Sequence, residues 1–264
     1  VTSKKNEHSC SRREFLSLAA KGAGAVAVVL FSGDLALVSA SSAVKGADLA
    51  IGGYDPTRHR YIYLVDIDKC IGCGACVRAC SHENQVPKHF FRTWVERYEI
   101  SRSGEVAIDS PDGALEGFEP RATGEDIGKA FFVPKLCNHC SNTPCVQLCP
   151  VGASFTSPDG VVLVDQERCI GCSYCVQACP YGSRFIHPET HTASKCTLCY
   201  HRLTRGMTTA CVQNCPTGAR KIGDALALGD EVAEILATRD VRVLKPELHT
   251  QPNCNYLGLS KEVR

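Results

Sequence analysis

Cysteine sets this chain apart, with 18 in 264 residues against one Met and one Trp. Sixteen of the 18 fall into four groups of four. Cys70, Cys73, Cys76 and Cys80 are spaced C-x2-C-x2-C-x3-C, and Cys137, Cys140, Cys145 and Cys149 are spaced C-x2-C-x4-C-x3-C-P. Cys169, Cys172, Cys175 and Cys179 follow as C-x2-C-x2-C-x3-C-P, then Cys196, Cys199, Cys211 and Cys215 as C-x2-C-x11-C-x3-C-P. A thiolate is a nucleophile, a disulfide partner or a soft metal ligand, and the spacing discriminates among these roles. Three thiolates carried on one short loop cap one face of a cubane iron–sulfur cluster, and the C-x2-C-x2-C-x3-C-P run is built for that geometry. Where two such clusters share a protein, the fourth thiolate ligates the other cluster and ties two loops together. The sixteen cysteines therefore predict four [4Fe–4S] clusters.

Paired C-x2-C units also build zinc sites, but those place a longer stretch between two pairs. Here two motifs gather three thiols within seven residues, and Pro follows three of the four terminal cysteines. A disulfide framework would suit an exported protein, yet cysteines this close cannot staple distant segments without leaving neighbours unpaired. Cys10 and Cys254 lie outside the groups; Cys254 reads as a structural or free thiol. His139, inside C-N-H-C, reads as an orienting or turn residue because its tetrad already has four thiolates. Lys69, Lys135, Arg168 and Lys195 each stand one or two residues before the first cysteine of a motif. A cation there either raises the potential of an anionic cluster or is an ordinary solvated side chain.

These loops need elements to hold them. LVDIDKCIGCGACVRAC from Leu64 and LVDQERCIGCSYCVQAC from Leu163 match at an offset of 99, and CVQLCPVGA from Cys145 echoes CVQNCPTGA from Cys211. Units that repeat with the same ligand set indicate duplicated modules completing one another's sites. Residues 61–66 and 161–165, rich in Val, Ile, Leu and Tyr, predict strands entering two of the loops. The run from the third to the fourth cysteine predicts one helical turn, stopped by the following Pro. Residues 230–237, with Val232, Ile235 and Leu236 apolar, predict one longer helix. The expected class is α+β: duplicated, bacterial two-cluster ferredoxin-like modules with short antiparallel strands and short helices around four clusters.

Residues 1–43 read as a twin-arginine-type export signal: SRREFL from Ser11, an apolar run from Gly22 to Phe31, then small residues ending at Ala40 or Ala43. Cleavage after Ala40 would leave 24 Lys and Arg against 25 Asp and Glu, a nearly neutral chain unsuited to nucleic acid. The expected organisation is this signal, a four-cluster domain over 60–225 carrying a ligand-free insertion at 81–132, and a C-terminal helix and tail over 226–264. Trp94, in the insertion, reads as a packing residue, with an interface contact as the alternative. No P-loop, G-x-G-x-x-G or H-E-x-x-H run is present.

The order of the four motifs, with the wide gap in the last, resembles the iron–sulfur subunit of the complex iron–sulfur molybdoenzyme family over about residues 60–257. Its members serve dimethyl sulfoxide, polysulfide, thiosulfate and tetrathionate reductases, formate-dependent nitrite reductase and heterodisulfide-reductase-like menaquinol-oxidising complexes. CVQNCPTGARKIGD from Cys211 and VLKPELHTQPNCNYLGL from Val243 are most similar to the tetrathionate and polysulfide branch. Some relatives carry Trp at one cysteine of the last motif, whereas Cys199 is retained here. The resemblance implies crossed ligation: Cys70, Cys73 and Cys76 with Cys215; Cys196, Cys199 and Cys211 with Cys80; Cys137, Cys140 and Cys145 with Cys179; Cys169, Cys172 and Cys175 with Cys149. It also implies a non-catalytic relay on the periplasmic face of the cell membrane in anaerobic respiration. Its partners would be a polytopic membrane subunit that binds quinone or menaquinone and either a molybdopterin catalytic subunit or c-type cytochrome and heterodisulfide-reductase-like subunits. The alternatives are a menaquinol-oxidising complex without molybdenum, a zinc or structural module, and a free-standing polyferredoxin.

Overall fold

The computed structural model describes residues 53–119 and 126–263. The signal segment and Cys10 lie outside these residues, as does 120–125 of the insertion.

Strand β1, Tyr61–Asp66, is buried along its middle because it is an inner strand with a layer on each face. Side chains alternate across a strand. Ile62 and Leu64 therefore meet Val232 of the helix α6, Glu231–Thr238, while Tyr63 and Val65 enter the main core with Val77, Val95, Val133 and Leu136. Helix α6 starts on Asp230, whose carboxylate accepts from the Ala233 N–H at 2.9 Å.

After β1 comes helix α1, Ala75–Glu83, then β2, Thr93–Ser101, β3, Val106–Asp109, and β4, Ile127–Leu136. The single turns α2, Pro144–Gln147, α3, Tyr174–Gln177, and α5, Ala210–Gln213, each carry the third cysteine of a motif and end before the fourth. Pro150, Pro180 and Pro216 keep the preceding cysteine out of helical geometry. The first motif has Ser81 in that place, and α1 runs on to Glu83, longer than the single turn expected of it. Between these lie β5, Ser154–Thr156, β6, Val162–Val164, β7, Arg184–Ile186, β8, Ala193–Lys195, and helix α4, Tyr200–Leu203. The chain closes with β9, Arg220–Asp224, β10, Val241–Arg242, and β11, Cys254–Leu257.

Four strand pairings connect the motifs in a ring. β9, leaving the fourth motif, pairs antiparallel with β1, entering the first. β2 leaves the first and pairs with β4, entering the second; β5 and β6 join the second to the third, and β7 and β8 the third to the fourth. The ligand-free insertion forms the β3-β2-β4 sheet, in which Arg97 opposes Asp109 and holds its carboxylate through Nε at 2.9 Å and Nη2 at 2.8 Å. One pairing departs from the antiparallel expectation. After β10 the chain crosses back, and β11 adds to β1 in parallel, so Cys254 sits opposite Tyr63. The result is an α+β architecture in which paired strands deliver the cysteine loops.

Candidate iron–sulfur centres

The ring of ribbons brings the cysteines into four tetrads, each taking three from one motif and one from another. Cys70, Cys73, Cys76 and Cys215 line one cavity with Val95, Pro134 and Arg220 (site 1). Cys80, Cys196, Cys199 and Cys211 line a second with Asn84, Arg92 and Leu136 (site 2). Cys149, Cys169, Cys172 and Cys175 line another with Ile170, Ile186 and Ala193 (site 4). These three cavities are nearly equal in size. Cys140 interacts with Cys137, Cys145 and Cys179, which makes the remaining tetrad (site 3). Every cysteine among the described residues is a free thiol. Among those residues no three His, Cys, Asp or Glu side chains converge on a point that would hold a single ion. The tetrads surround a space, and a cluster rather than one zinc ion suits that arrangement.

Adjacency follows from the charges each thiol feels. Cys76 of site 1 couples to Cys211 of site 2, Cys196 of site 2 couples to Cys137 of site 3, and Arg184 couples to Cys145 of site 3 and Cys175 of site 4. The order is 1-2-3-4. The thiols of site 2 are all buried and those of site 3 nearly so, whereas Cys172 of site 4 is exposed and three thiols of site 1 are half-buried.

Burial pushes the Cys70 thiol up to about 11 and those of Cys80 and Cys140 to about 12. Metal loading must therefore displace protons. Two terminal cysteines behave oppositely. Burial raises Cys149, but the N–H groups of residues 151–154 outweigh it and leave the thiol below its ordinary value. Cys215 is lowered in the same way, burial being overcome by the N–H groups of Arg220, Ala219 and Thr217 and by the Thr217 hydroxyl. The C-P-x-G-x turn wraps backbone donors round sulfur, the arrangement that stabilises a thiolate on iron. The Ala193 N–H adds a bond to Cys169 Sγ at 3.3 Å, and the Tyr63 hydroxyl lies 3.2 Å from Cys211 Sγ.

The four cations flanking the motifs divide by their origin. Lys69 and Arg168, equivalent across the repeat, sit in turns, remain more than half exposed, and pair with Asp66 and Asp165 three residues earlier. They are solvated. Lys135 and Lys195 stand at strand ends and are buried. Lys135 meets Glu96 at 2.6 Å, whereas Lys195 Nζ reaches only the carbonyls of Val162 and Cys196. His139 is buried, accepts the Val162 N–H at Nδ1 (3.0 Å), and is held neutral by burial, with Lys195 and Arg184 adding to the effect. Trp94 is half-buried and donates to Glu96 at 2.9 Å. Cys254 is buried in β11, its thiol pushed up to about 12 by burial, outside all four tetrads.

Sequence reasoning passed over Arg184 and Arg220. Both stand five residues after a terminal cysteine, in CPYGSR and CPTGAR, and a third copy reads CPVGAS with Ser154 in that place. Extending the CVQ-x-CP echo by one residue reveals the pattern. Arg184 is 4% and Arg220 2% exposed, and two nitrogens of each guanidinium have no hydrogen-bond partner. Buried unpaired cations beside protonated thiols cost several kcal/mol each. An anionic cluster at each tetrad supplies the missing counter-charge, so the residues present fit the group.

Residues 69–153 and 128–225 each match a family model described as a 4Fe-4S dicluster domain. A tetrathionate reductase subunit of Salmonella typhimurium is 47% identical over 204 residues, 76% of this chain and 74% of the relative. The chain belongs to the complex iron–sulfur molybdoenzyme family, as an electron-transfer subunit. The corresponding tetrathionate reductase protein of Archaeoglobus fulgidus is 44% identical to this subunit over 202 residues, 76% of the chain and 83% of the relative. Protein NrfC of Escherichia coli K12 is 38% identical over 244 residues, 92% of each chain. Both family models describe 4Fe-4S domains and set aside the zinc reading of the subunit's motifs. Among its described residues no helix is long and apolar enough to cross a membrane.

Proposed function

We propose that the subunit holds four [4Fe–4S] clusters, with the sixteen cysteines as ligands in the crossed sets of sites 1 to 4, and relays electrons along the order 1-2-3-4. When bound, each cluster supplies a one-electron redox centre. The chain's own residues space these centres, exclude water from the inner two and donate hydrogen bonds to their sulfurs. The observation that carries this reading is the adjacency of the four tetrads, with buried thiols in the middle and more open ones at both ends. Electrons would enter at one end site and leave at the other.

The relatives' names, two of them tetrathionate reductase subunits, support a place between a quinone- or quinol-linked membrane subunit, or a cytochrome, and a catalytic subunit. A molybdopterin protein is the catalytic partner this reading favours. Residues 1–43 would direct export of the folded chain to the periplasmic face of the membrane, where 60–225 and 226–264 dock peripherally on the partners.

Iron and acid-labile sulfide in anaerobically purified protein test the cluster count. Roughly sixteen iron per chain are expected, and zinc in place of iron would overturn the reading. Cys80→Ser tests the pairing: it should abolish the site 2 signal in electron paramagnetic resonance and leave site 1 in place, whereas loss confined to site 1 would refute crossed ligation. Purification from membranes without any accompanying subunit would refute the assigned place in a complex.

A further inference from the structure

Three buried cations remain whose positions follow the order of the sites. Arg220 lines the site 1 cavity and faces the thiols of Cys76 in site 1 and Cys211 in site 2. Lys195 is 1% exposed, held by the carbonyls of Val162 and Cys196, and couples to Cys196 of site 2 and to Cys137 and Cys145 of site 3. Arg184 donates from Nη1 to Ser154 Oγ at 2.9 Å and faces Cys137 and Cys145 of site 3 and Cys175 of site 4. Each junction in the series thus holds one cation. The groups that act on these three are thiols, with Tyr63 also beside Arg220 and Arg184 also beside Lys195, and no carboxylate among them. Lys135 is the contrast, a buried cation neutralised by Glu96 at 2.6 Å.

We propose that Arg220, Lys195 and Arg184 are junction cations, each shared by two neighbouring clusters and raising the reduction potential of both. The inference rests on the four-cluster reading above. Reduction adds negative charge to a cluster, and a fixed cation in a medium of low dielectric favours the reduced form. A cation between two clusters lowers the energy of an added electron on either one, so it shifts the two potentials in the same direction. Sites 2 and 3 each touch two junction cations, and sites 1 and 4 one. The duplication explains two of the three. Arg184 and Arg220 occupy the same place in repeated C-P-x-G-x-R turns, and Ser154, in the third such turn, is the residue Arg184 reaches.

The test is an anaerobic redox titration of the protein, read by electron paramagnetic resonance. Cys73→Ser, Cys199→Ser, Cys140→Ser and Cys172→Ser assign the signals of sites 1, 2, 3 and 4. Arg220→Gln should lower the potentials of sites 1 and 2, Lys195→Met those of sites 2 and 3, and Arg184→Gln those of sites 3 and 4. The expected size is at least a tenfold fall in the reduced-to-oxidised ratio at fixed solution potential, 59 mV for a one-electron couple, with non-adjacent sites unmoved. Equal shifts at all four sites, a shift at non-adjacent sites, or no shift with clusters intact would overturn the assignment. Iron and sulfide content separates this from failure of the four-cluster reading. Where a neutral variant loses iron, the charge-keeping exchanges Arg220→Lys, Lys195→Arg and Arg184→Lys decide. Iron retained with wild-type potentials upholds the role of charge, and iron lost there too would show that shape alone matters.

Discussion

Two glycines of similar backbone geometry differ in the space around them, and the difference yields a graded prediction about cluster retention. Gly171, between Cys169 and Cys172, has φ +69°, and Gly218, in the turn after Cys215, has φ +64°. Alanine at either position carries the left-handed penalty of about 1–2 kcal/mol. A Cβ at Gly218 meets nothing within 4 Å, whereas one at Gly171 would lie 2.4 Å from the His191 carbonyl oxygen. That oxygen belongs to the turn joining β7 to β8, whose strands pair from Arg184 to Lys195, so it cannot recede without disturbing the support of site 4. Overpacking of this kind adds about 1–3 kcal/mol. If the added strain is relieved when the loop opens, Gly171→Ala should release iron from site 4 roughly 5- to 160-fold faster than Gly218→Ala releases it from site 1. Anaerobic release to an iron chelator, with the signals of sites 4 and 1 followed separately, measures both rates relative to wild type. Equal acceleration by the two variants, or a larger effect of Gly218→Ala, would refute the argument that space rather than φ decides.

Lys135→Met breaks the buried pair with Glu96 and should destabilise the chain by about 3 kcal/mol, the lower end for such pairs because Glu96 keeps some solvent contact. Thermal unfolding reports that loss, whereas Lys135→Met combined with Glu96→Gln, which removes both charges and keeps the local net charge, should leave the four cluster potentials within experimental error. Tyr63→Phe removes the hydroxyl 3.2 Å from Cys211 Sγ and should lower the potential of site 2 while leaving sites 3 and 4 unmoved, read by redox titration. Asp230→Ala removes the cap on Ala233 and a second bond, from the Asp224 N–H at 3.0 Å. It should cost about 2 kcal/mol in chemical unfolding with iron content unchanged, since α6 packs on the face of β1 turned away from the cysteines.

Much of the subunit was legible in order of sequence because its chemistry is local. A cubane cluster needs three thiolates on one short loop, so the cysteine types and spacings mark candidate ligands before any fold is known. The same locality made β1 and α6 readable, one from its run of large apolar residues and the other from helical periodicity. The extension of α1 to Glu83 was readable in principle from Ser81, which stands where the other three motifs have Pro. It was missed because the repeat drew attention to what the motifs share.

Other features had no local signal. Lys69 and Lys195 both immediately precede the first cysteine of a motif, yet one is half exposed and paired with Asp66 while the other is 1% exposed and faces two sites. A turn presents the first to water and a paired strand carries the second inward. The parallel addition of β11 to β1 depends on contacts nearly 200 residues apart, and the burial of Arg184 and Arg220 depends on which loops close over them. The sequence by itself determined the candidate ligands and the number of cysteine groups, because a thiolate's reactivity and the reach of a short loop are properties of neighbouring residues. Only the tertiary structure decided which tetrads lie side by side and which cations are sealed between them, because electrostatic coupling in a buried interior depends on distance and dielectric, and both are set by packing.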